Sequence, residues 1–248
     1  MTESIVNSKI IISENIDEVS DHFAHEIIQI LDIGTEKINI ALSGGSTPKS
    51  IFDFIAVNYK TKIDWNRINF FWGDERCVPP DHPDSNYLMT KEHLFSKINI
   101  NGKNIFRIKG ENDPEVEADN YSSVIIQNVP LQNKLPSFDI ITLGLGEDGH
   151  TASIFPFILE LFKSDKICAV AEHPATKQKR ITLTGKVINN AKKIIFMVTG
   201  ENKSEMIDNI LNRRKGFEKH PASHVEPVNG ELIWLLDKYA AKGLKGFN

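Results

Sequence analysis

Cysteine is scarce in this chain: only Cys77 and Cys168 in 248 residues, far apart and without metal-ligand spacing. A disulfide scaffold is therefore excluded as the source of stability, and a reducing, cytoplasmic location is the expectation. Long apolar runs are absent as well. None approaches the roughly 18 residues that a membrane helix needs, and residues 1–8 carry acidic and polar side chains where a secretory leader needs basic then apolar ones. There is no surplus of positive charge. Lys and Arg number 29 against 33 Asp and Glu, a net charge of -4, which gives no electrostatic reason to expect nucleic acid or an anionic membrane as partner. The one basic cluster, Arg213-Arg214-Lys215, follows a helical segment and reads as a solvated helix end. Internal repeats, low-complexity tracts and flexible linkers are missing too. Apolar residues make up 40% and charged residues 25%, the balance of an ordinary globular protein with a sizeable core. Nothing in the sequence sets an oligomeric state, and a monomer is the default.

Present instead is an alternation of helix and strand signals. Residues 15–31 carry a helical stripe (Val19, Phe23, Ile27, Ile30, Leu31). Strand-like runs occupy 38–42, 68–72, 140–145, 167–171, 181–183, 194–198 and 232–236. Helical segments fall at 47–56, 85–95, 114–127, 186–191 and 202–211. This pattern predicts a single α/β domain over 1–248, Rossmann-like, with a mostly parallel central sheet and helices on both faces. Ligands of such folds bind beyond the carboxyl ends of the strands, so the loops that follow strands carry the chemistry.

The first such loop is Ser43-Gly44-Gly45-Ser46-Thr47-Pro48. Thr47 reads as an N-cap and Pro48 as a first helical residue. Glycines and hydroxyls before a helix N-terminus make an anion site, although the sequence also suits a plain tight turn and lacks the ending of a Walker loop. The second, residues 73–80, places Asp74, Glu75 and Arg76 directly after an aromatic strand. Either a carboxylate holds Arg76 in a salt bridge, or Arg76 offers its planar fork to a phosphate or oxyanion; the two are not exclusive. The fourth loop, Thr199-Gly200-Glu201-Asn202-Lys203, ends in a lysine that taken alone reads as an exposed side chain at a helix start.

The third loop is the richest: Gly144-Leu145-Gly146-Glu147-Asp148-Gly149-His150-Thr151-Ala152-Ser153-Ile154-Phe155-Pro156. A histidine two residues from an aspartate, among glycines after a buried strand, suits proton transfer close to a ligand. Gly144, Gly146 and Gly149 also spell G-x-G-x-x-G, with Glu172 at roughly the spacing of a dinucleotide site. Pro156 would break the required helix, and Asp148 would face the pyrophosphate, so that reading is set aside.

Residues 43–48, Gly73–Arg76 with His82 and Ser85-Asn86-Tyr87, 144–156, 180–184 and 200–203 together resemble the 6-phosphogluconolactonases of the glucosamine-6-phosphate isomerase/deaminase superfamily. The resemblance spans roughly residues 43–240. Its most specific block is residues 148–156. The deaminase branch has Asp-Glu-Tyr where this chain has Asp74-Glu75-Arg76, and Gly-His-Ile-Ala-Phe-Asn-Glu-Pro in place of residues 149–156. Phe157, where many members carry glycine, is a small departure. The resemblance implies hydrolysis of 6-phospho-D-glucono-1,5-lactone, a free sugar-phosphate lactone, without cofactor or metal. In that role His150 is the base and Asp148 its partner in orientation or charge. Arg76 and the loop N–H groups would be oxyanion donors, and Asp74 a further catalytic candidate. Ser43, Gly44, Gly45, Ser46, Thr47, Lys203 and either Arg76 or Arg180 would hold the phosphate. The rivals are an amino-sugar-phosphate isomerase or deaminase with Asp74 as base, and a non-catalytic sugar-phosphate sensor. A sensor would be expected to carry a DNA-binding segment, for which the residues ahead of Ser43 leave little room.

Overall fold

Asn15 starts the first long helix by accepting the N–H groups of Asp17 and Glu18 on its side chain, both at 3.0 Å, an N-cap reinforced by the acidic first turn. The computed structural model describes residues 8–244; residues 1–7, part of the segment read above for a leader, lie outside the described residues. In chain order come β1 (Ser8–Ser13), α1 (Ile16–Ile33), β2 (Ile38–Leu42), α2 (Ser46–Asn58), β3 (Ile68–Trp72), β4 (Asp74–Arg76) and α3 (Asn86–Thr90), which runs on into a wide turn at Lys91–Phe95. There follow α4 (Pro114–Asn128), the two-residue strands β5 (Leu131–Gln132) and β6 (Leu135–Pro136), and β7 (Ile140–Leu143). The chain closes with β8 (Cys168–Glu172), β9 (Lys179–Leu183), α5 (Gly185–Asn189), β10 (Lys193–Val198), α6 (Ser204–Leu211) and β11 (Glu231–Asp237).

Six strands form one wholly parallel sheet in the order β1-β11-β10-β7-β2-β3. Strands β2 and β7 are buried at every residue, which is why they read as continuous apolar runs rather than alternating ones. Helix α1 buries Val19, Phe23, Ala24, Ile27 and Leu31 against this sheet, and α2 buries Ile51, Phe52 and Ile55. The order reverses between β2 and β7: β3 lies on one side of β2, while β10 and β11 continue outward from β7. At such a switch point the loops leave in opposite directions and open a crevice at the carboxyl ends of the strands. That crevice receives the loops of residues 43–47 and 144–150. Among the described residues no helix is long and apolar enough to cross a membrane.

Two expectations need correction. Residues 167–171 and 181–183 are strands, but they do not join the parallel sheet; β8 and β9 pair antiparallel and β9 pairs with β4, giving a separate sheet in the order β4-β9-β8. Gly73 is the point of exchange: its N–H donates to Leu42 in the first sheet at 2.8 Å, and its carbonyl accepts from Leu183 in the second at 2.8 Å. The other correction concerns Thr47. Helix α2 starts at Ser46, two residues before Pro48, after Gly45 at φ +111° and with no side-chain cap, so Pro48 is its third residue. The left-handed turn that only glycine adopts freely sets the start, and the Thr47 hydroxyl bonds Thr199 Oγ1 at 2.8 Å instead.

Candidate active site

The turn at residues 144–150 is closed by its own backbone. Gly146 N–H donates to the His150 carbonyl at 2.9 Å and Gly149 N–H to the Gly146 carbonyl at 3.1 Å. Gly149 sits at φ +81°. From its back, Ala222 N–H reaches the Gly149 carbonyl at 2.9 Å and His220 Nδ1 meets the Asp148 carbonyl at 3.1 Å. The tight closure brings Asp148 onto His150: Oδ1 lies 2.6 Å from Nδ1 and 3.0 Å from the His150 backbone N–H. Partial burial works to raise the Asp148 carboxyl, but the hydrogen bonds from the His150 side chain and backbone outweigh it and hold the group at about 2. The ionised carboxylate only accepts, so Nδ1 carries the proton, and in the neutral imidazole the Nε2 lone pair is left free. The G-x-G-x-x-G run opens no helix at Gly149. The next helical turn begins only at Pro156, so the dinucleotide geometry is missing.

Opposite stands a cationic wall. In the β4–β9 ladder Arg76 pairs directly with Arg180, and Asp74, two residues back on the same face, with Thr182. Like charges facing each other across strands destabilise a sheet unless something compensates. Asp74 does part of this, its Oδ2 accepting Ser153 Oγ at 2.6 Å with Arg180 Nη1 at 4.0 Å. Burial pushes the Arg180 guanidinium below its usual range, with the Arg76 charge acting the same way and Asp74 against. Arg76 gives one N–H to the Asp84 carbonyl. The Nε atoms of both arginines are buried without a hydrogen-bond partner, a desolvation cost that the fold carries at this wall.

Neither carboxylate of the Asp74-Glu75 pair salt-bridges Arg76. Glu75 is buried and accepts four donors instead: Ser85 Oγ at 3.0 Å and the N–H groups of Arg76, Asn86 and Tyr87 at 2.8, 2.7 and 2.8 Å. Burial pushes its carboxyl up, against the pull of the three N–H groups. The effect is to anchor α3, which delivers Asn86 to the site. Its Nδ2 donates to the Asp74 carbonyl at 2.9 Å, and its Oδ1 stands 1.8 Å from where a Cβ on Gly44 would be. Gly44 must therefore be glycine for the first loop and α3 to close together.

One cavity of about 220 Å³ gathers these groups, lined among others by Ser43, Gly44, Gly45, Ser46, Thr47, Asp74, Arg76, His150, Arg180 and Lys203. All the residues expected at the site thus line it, save Asp148, which sits behind His150. Their duties differ, however. Ser43 turns its hydroxyl onto Thr142 at 3.3 Å and Thr47 onto Thr199, so the first loop offers chiefly Ser46 and the uncapped first-turn N–H groups of α2. Lys203 ends the short 3₁₀ turn Glu201–Lys203 ahead of α6. Sequence reasoning did not assign Asn86, Ser153 or Thr199 a place at the site. Asn86 stood in the sequence only among the residues that carry the family resemblance, with no role of its own. Among the described residues no three His, Cys, Asp or Glu side chains gather into a metal-holding group.

The arrangement is an oriented histidine facing three cations and a set of backbone donors across a small polar cavity. A family model described as glucosamine-6-phosphate isomerases/6-phosphogluconolactonase matches residues 13–234. The 6-phosphogluconolactonase of Treponema pallidum is 48% identical over 173 residues, covering 70% of this chain and 72% of that protein. That of Haemophilus influenzae is 40% identical over 206 residues, covering 83% and 87%. Among solved structures, the devB protein superposes with a TM-score of 0.90 at 38% identity, covering 96% of this chain and 99% of that one. This chain belongs to the glucosamine-6-phosphate isomerase/6-phosphogluconolactonase family.

Proposed function

We propose that this chain hydrolyses 6-phospho-D-glucono-1,5-lactone to 6-phospho-D-gluconate, the second step of the oxidative pentose phosphate pathway, with His150 as general base. The relatives named 6-phosphogluconolactonase support the activity. The observation that carries the mechanism is the 2.6 Å contact between Asp148 and His150 Nδ1, which leaves Nε2 free beside the cavity. His150 takes a proton from water as the water oxygen attacks the lactone carbonyl. Arg76 and N–H groups of the catalytic turn stabilise the oxyanion. When the ring C–O bond breaks, the imidazolium returns its proton to the departing oxygen. A positioned base contributes about 10²–10⁴ and an oxyanion donor about 10²–10³, enough for a δ-lactone, an activated ester that also opens unaided.

The non-reacting phosphate is held by Lys203, Arg180, Ser46 and the first turn of α2, with Ser43, Gly44, Gly45 and Thr47 shaping that loop. Asp74, the base that an isomerase or deaminase would use, has its oxygens engaged by Ser153 at 2.6 Å and Asn86 at 3.4 Å. It acts here by holding Arg180 and Ser153. The enzyme is a cytoplasmic monomer acting on a free small molecule. The test is hydrolysis of freshly generated lactone, corrected for spontaneous opening. His150→Ala should lower kcat by at least about 10² with the fold intact; near-parent turnover in a folded variant would remove His150 from the mechanism.

A further inference from the structure

Phe155 takes no part in the chemistry above, yet its fully buried ring touches both halves of the site. The His150 imidazole packs against it with centroids 4.8 Å apart and planes at 46°, and the Arg180 guanidinium lies 5.8 Å from its centroid. The ring is itself held. His173 meets it edge-on at 5.4 Å and Phe157 lies parallel to it at 5.8 Å. Its backbone, at φ -93° and ψ 161°, is in the extended region that the following Pro156 imposes, so the direction of its side chain is preset locally.

This matters because one hydrogen bond does not orient a ring. The bond to Asp148 fixes the imidazole at Nδ1 but leaves it free to pivot about that point, and any pivot sweeps Nε2 away from a bound water. Gly146 lies close on one side, a Cβ there falling 2.1 Å from Nδ1, and Phe155 supplies a further wall. We propose that Phe155 is a positioning residue for His150, blocking the pivot about the Asp148 anchor so that Nε2 stays aimed into the cavity. The inference rests on the reading of His150 as base, and its test separates the two.

Phe155→Leu should lower kcat by about 10- to 100-fold, the cost of misplacing a catalytic group by about an ångström. In a His150→Ala background the same change should alter kcat by less than about twofold, since the group it positions is gone. Independently of turnover, carbon relaxation at His150 Cε1 should report a more mobile imidazole in the leucine variant. An equal loss of kcat in both backgrounds, or an unchanged His150 order, would overturn the proposal. If His150→Ala alone keeps near-parent turnover, the base reading fails, and ring mobility still decides whether Phe155 holds the imidazole. Phe155→Met, of similar volume without the ring, carries the same measurements should the leucine variant not fold.

Discussion

Alanine at position 146 separates catalysis from folding. Gly146 lies outside the left-handed region, so its backbone accepts any residue. The space around it does not: a Cβ there stands 2.1 Å from His150 Nδ1, 2.3 Å from His150 Cε1 and 2.8 Å from Asp148 Oδ1. Carbon and nitrogen in contact need about 3.5 Å, so the imidazole must retreat by more than about 1 Å and the Asp148 bond must open. The His150 side chain is 26% exposed, and it can swing toward solvent without disturbing the core. The stability lost is then about that of one partly exposed hydrogen bond, about 1 kcal/mol, or about 2–4 °C in Tm for a chain of this size. A base displaced by an ångström costs about 10² in rate. Gly146→Ala should therefore lose about 10² in kcat, keep KM within a few-fold because the phosphate contacts lie on other loops, and melt within a few degrees of the parent. Lactone opening releases a proton, so initial rates can be followed with an indicator in weak buffer, with spontaneous hydrolysis subtracted. A folded Gly146→Ala enzyme with near-parent kcat would show that the geometry of the Asp148–His150 pair does not set the rate.

Lys203→Ala should raise KM strongly for the phosphorylated lactone and leave the slow reaction of unphosphorylated gluconolactone nearly unchanged; equal loss on both would remove Lys203 from phosphate recognition. Asp148 is held at about 2 against an ordinary 3.8. A depressed carboxylate stabilises the fold above its unfolded value, and that contribution is lost as pH falls from about 4 toward 2. Asp148→Asn should flatten the fall in stability across that window. It should also lower kcat, because the amide's N–H can face Nδ1 and so favour the tautomer with its proton on Nε2; an unchanged kcat in the folded variant would show that the carboxylate does not set the tautomer of the base.

The parallel sheet was legible because strands buried on both faces must be written as apolar runs, as in Ile38–Leu42 and Ile140–Leu143, and α1 because its stripe and its Asn15 cap agree. Less of the periphery could be read. The edge strand Ser8–Ser13 has one side half exposed and only three isoleucines in a row, too little pattern to stand out. Strand β4 is three charged residues, extended only because β9 pairs with it. The pairing of β8 with β9 did leave a trace: only residues 173–178 separate them, whereas a parallel crossover needs a dozen residues or more. Apolar periodicity is the same for either direction, so connection length was the deciding signal.

The two halves of the site differed in legibility for the same reason. Asp148 and His150 meet within one turn, so three consecutive residues and two flanking glycines were enough to propose a base and its partner. The cations meet only through tertiary pairing. Arg76 and Arg180 are opposite each other because Gly73 hands the chain from one sheet to the other and the short β8–β9 connection returns it antiparallel. No local pattern encodes that juxtaposition, and the sequence could offer the two arginines only as alternatives. Once the ladder is formed both stand on one wall of the cavity. Two guanidinium groups face each other at a cost that Asp74 offsets only in part, and each keeps a buried Nε without a partner. An anion held against either guanidinium would relieve the repulsion between them. The second sheet thus supplies what the parallel sheet alone does not, a fixed pair of cations across the crevice from the histidine.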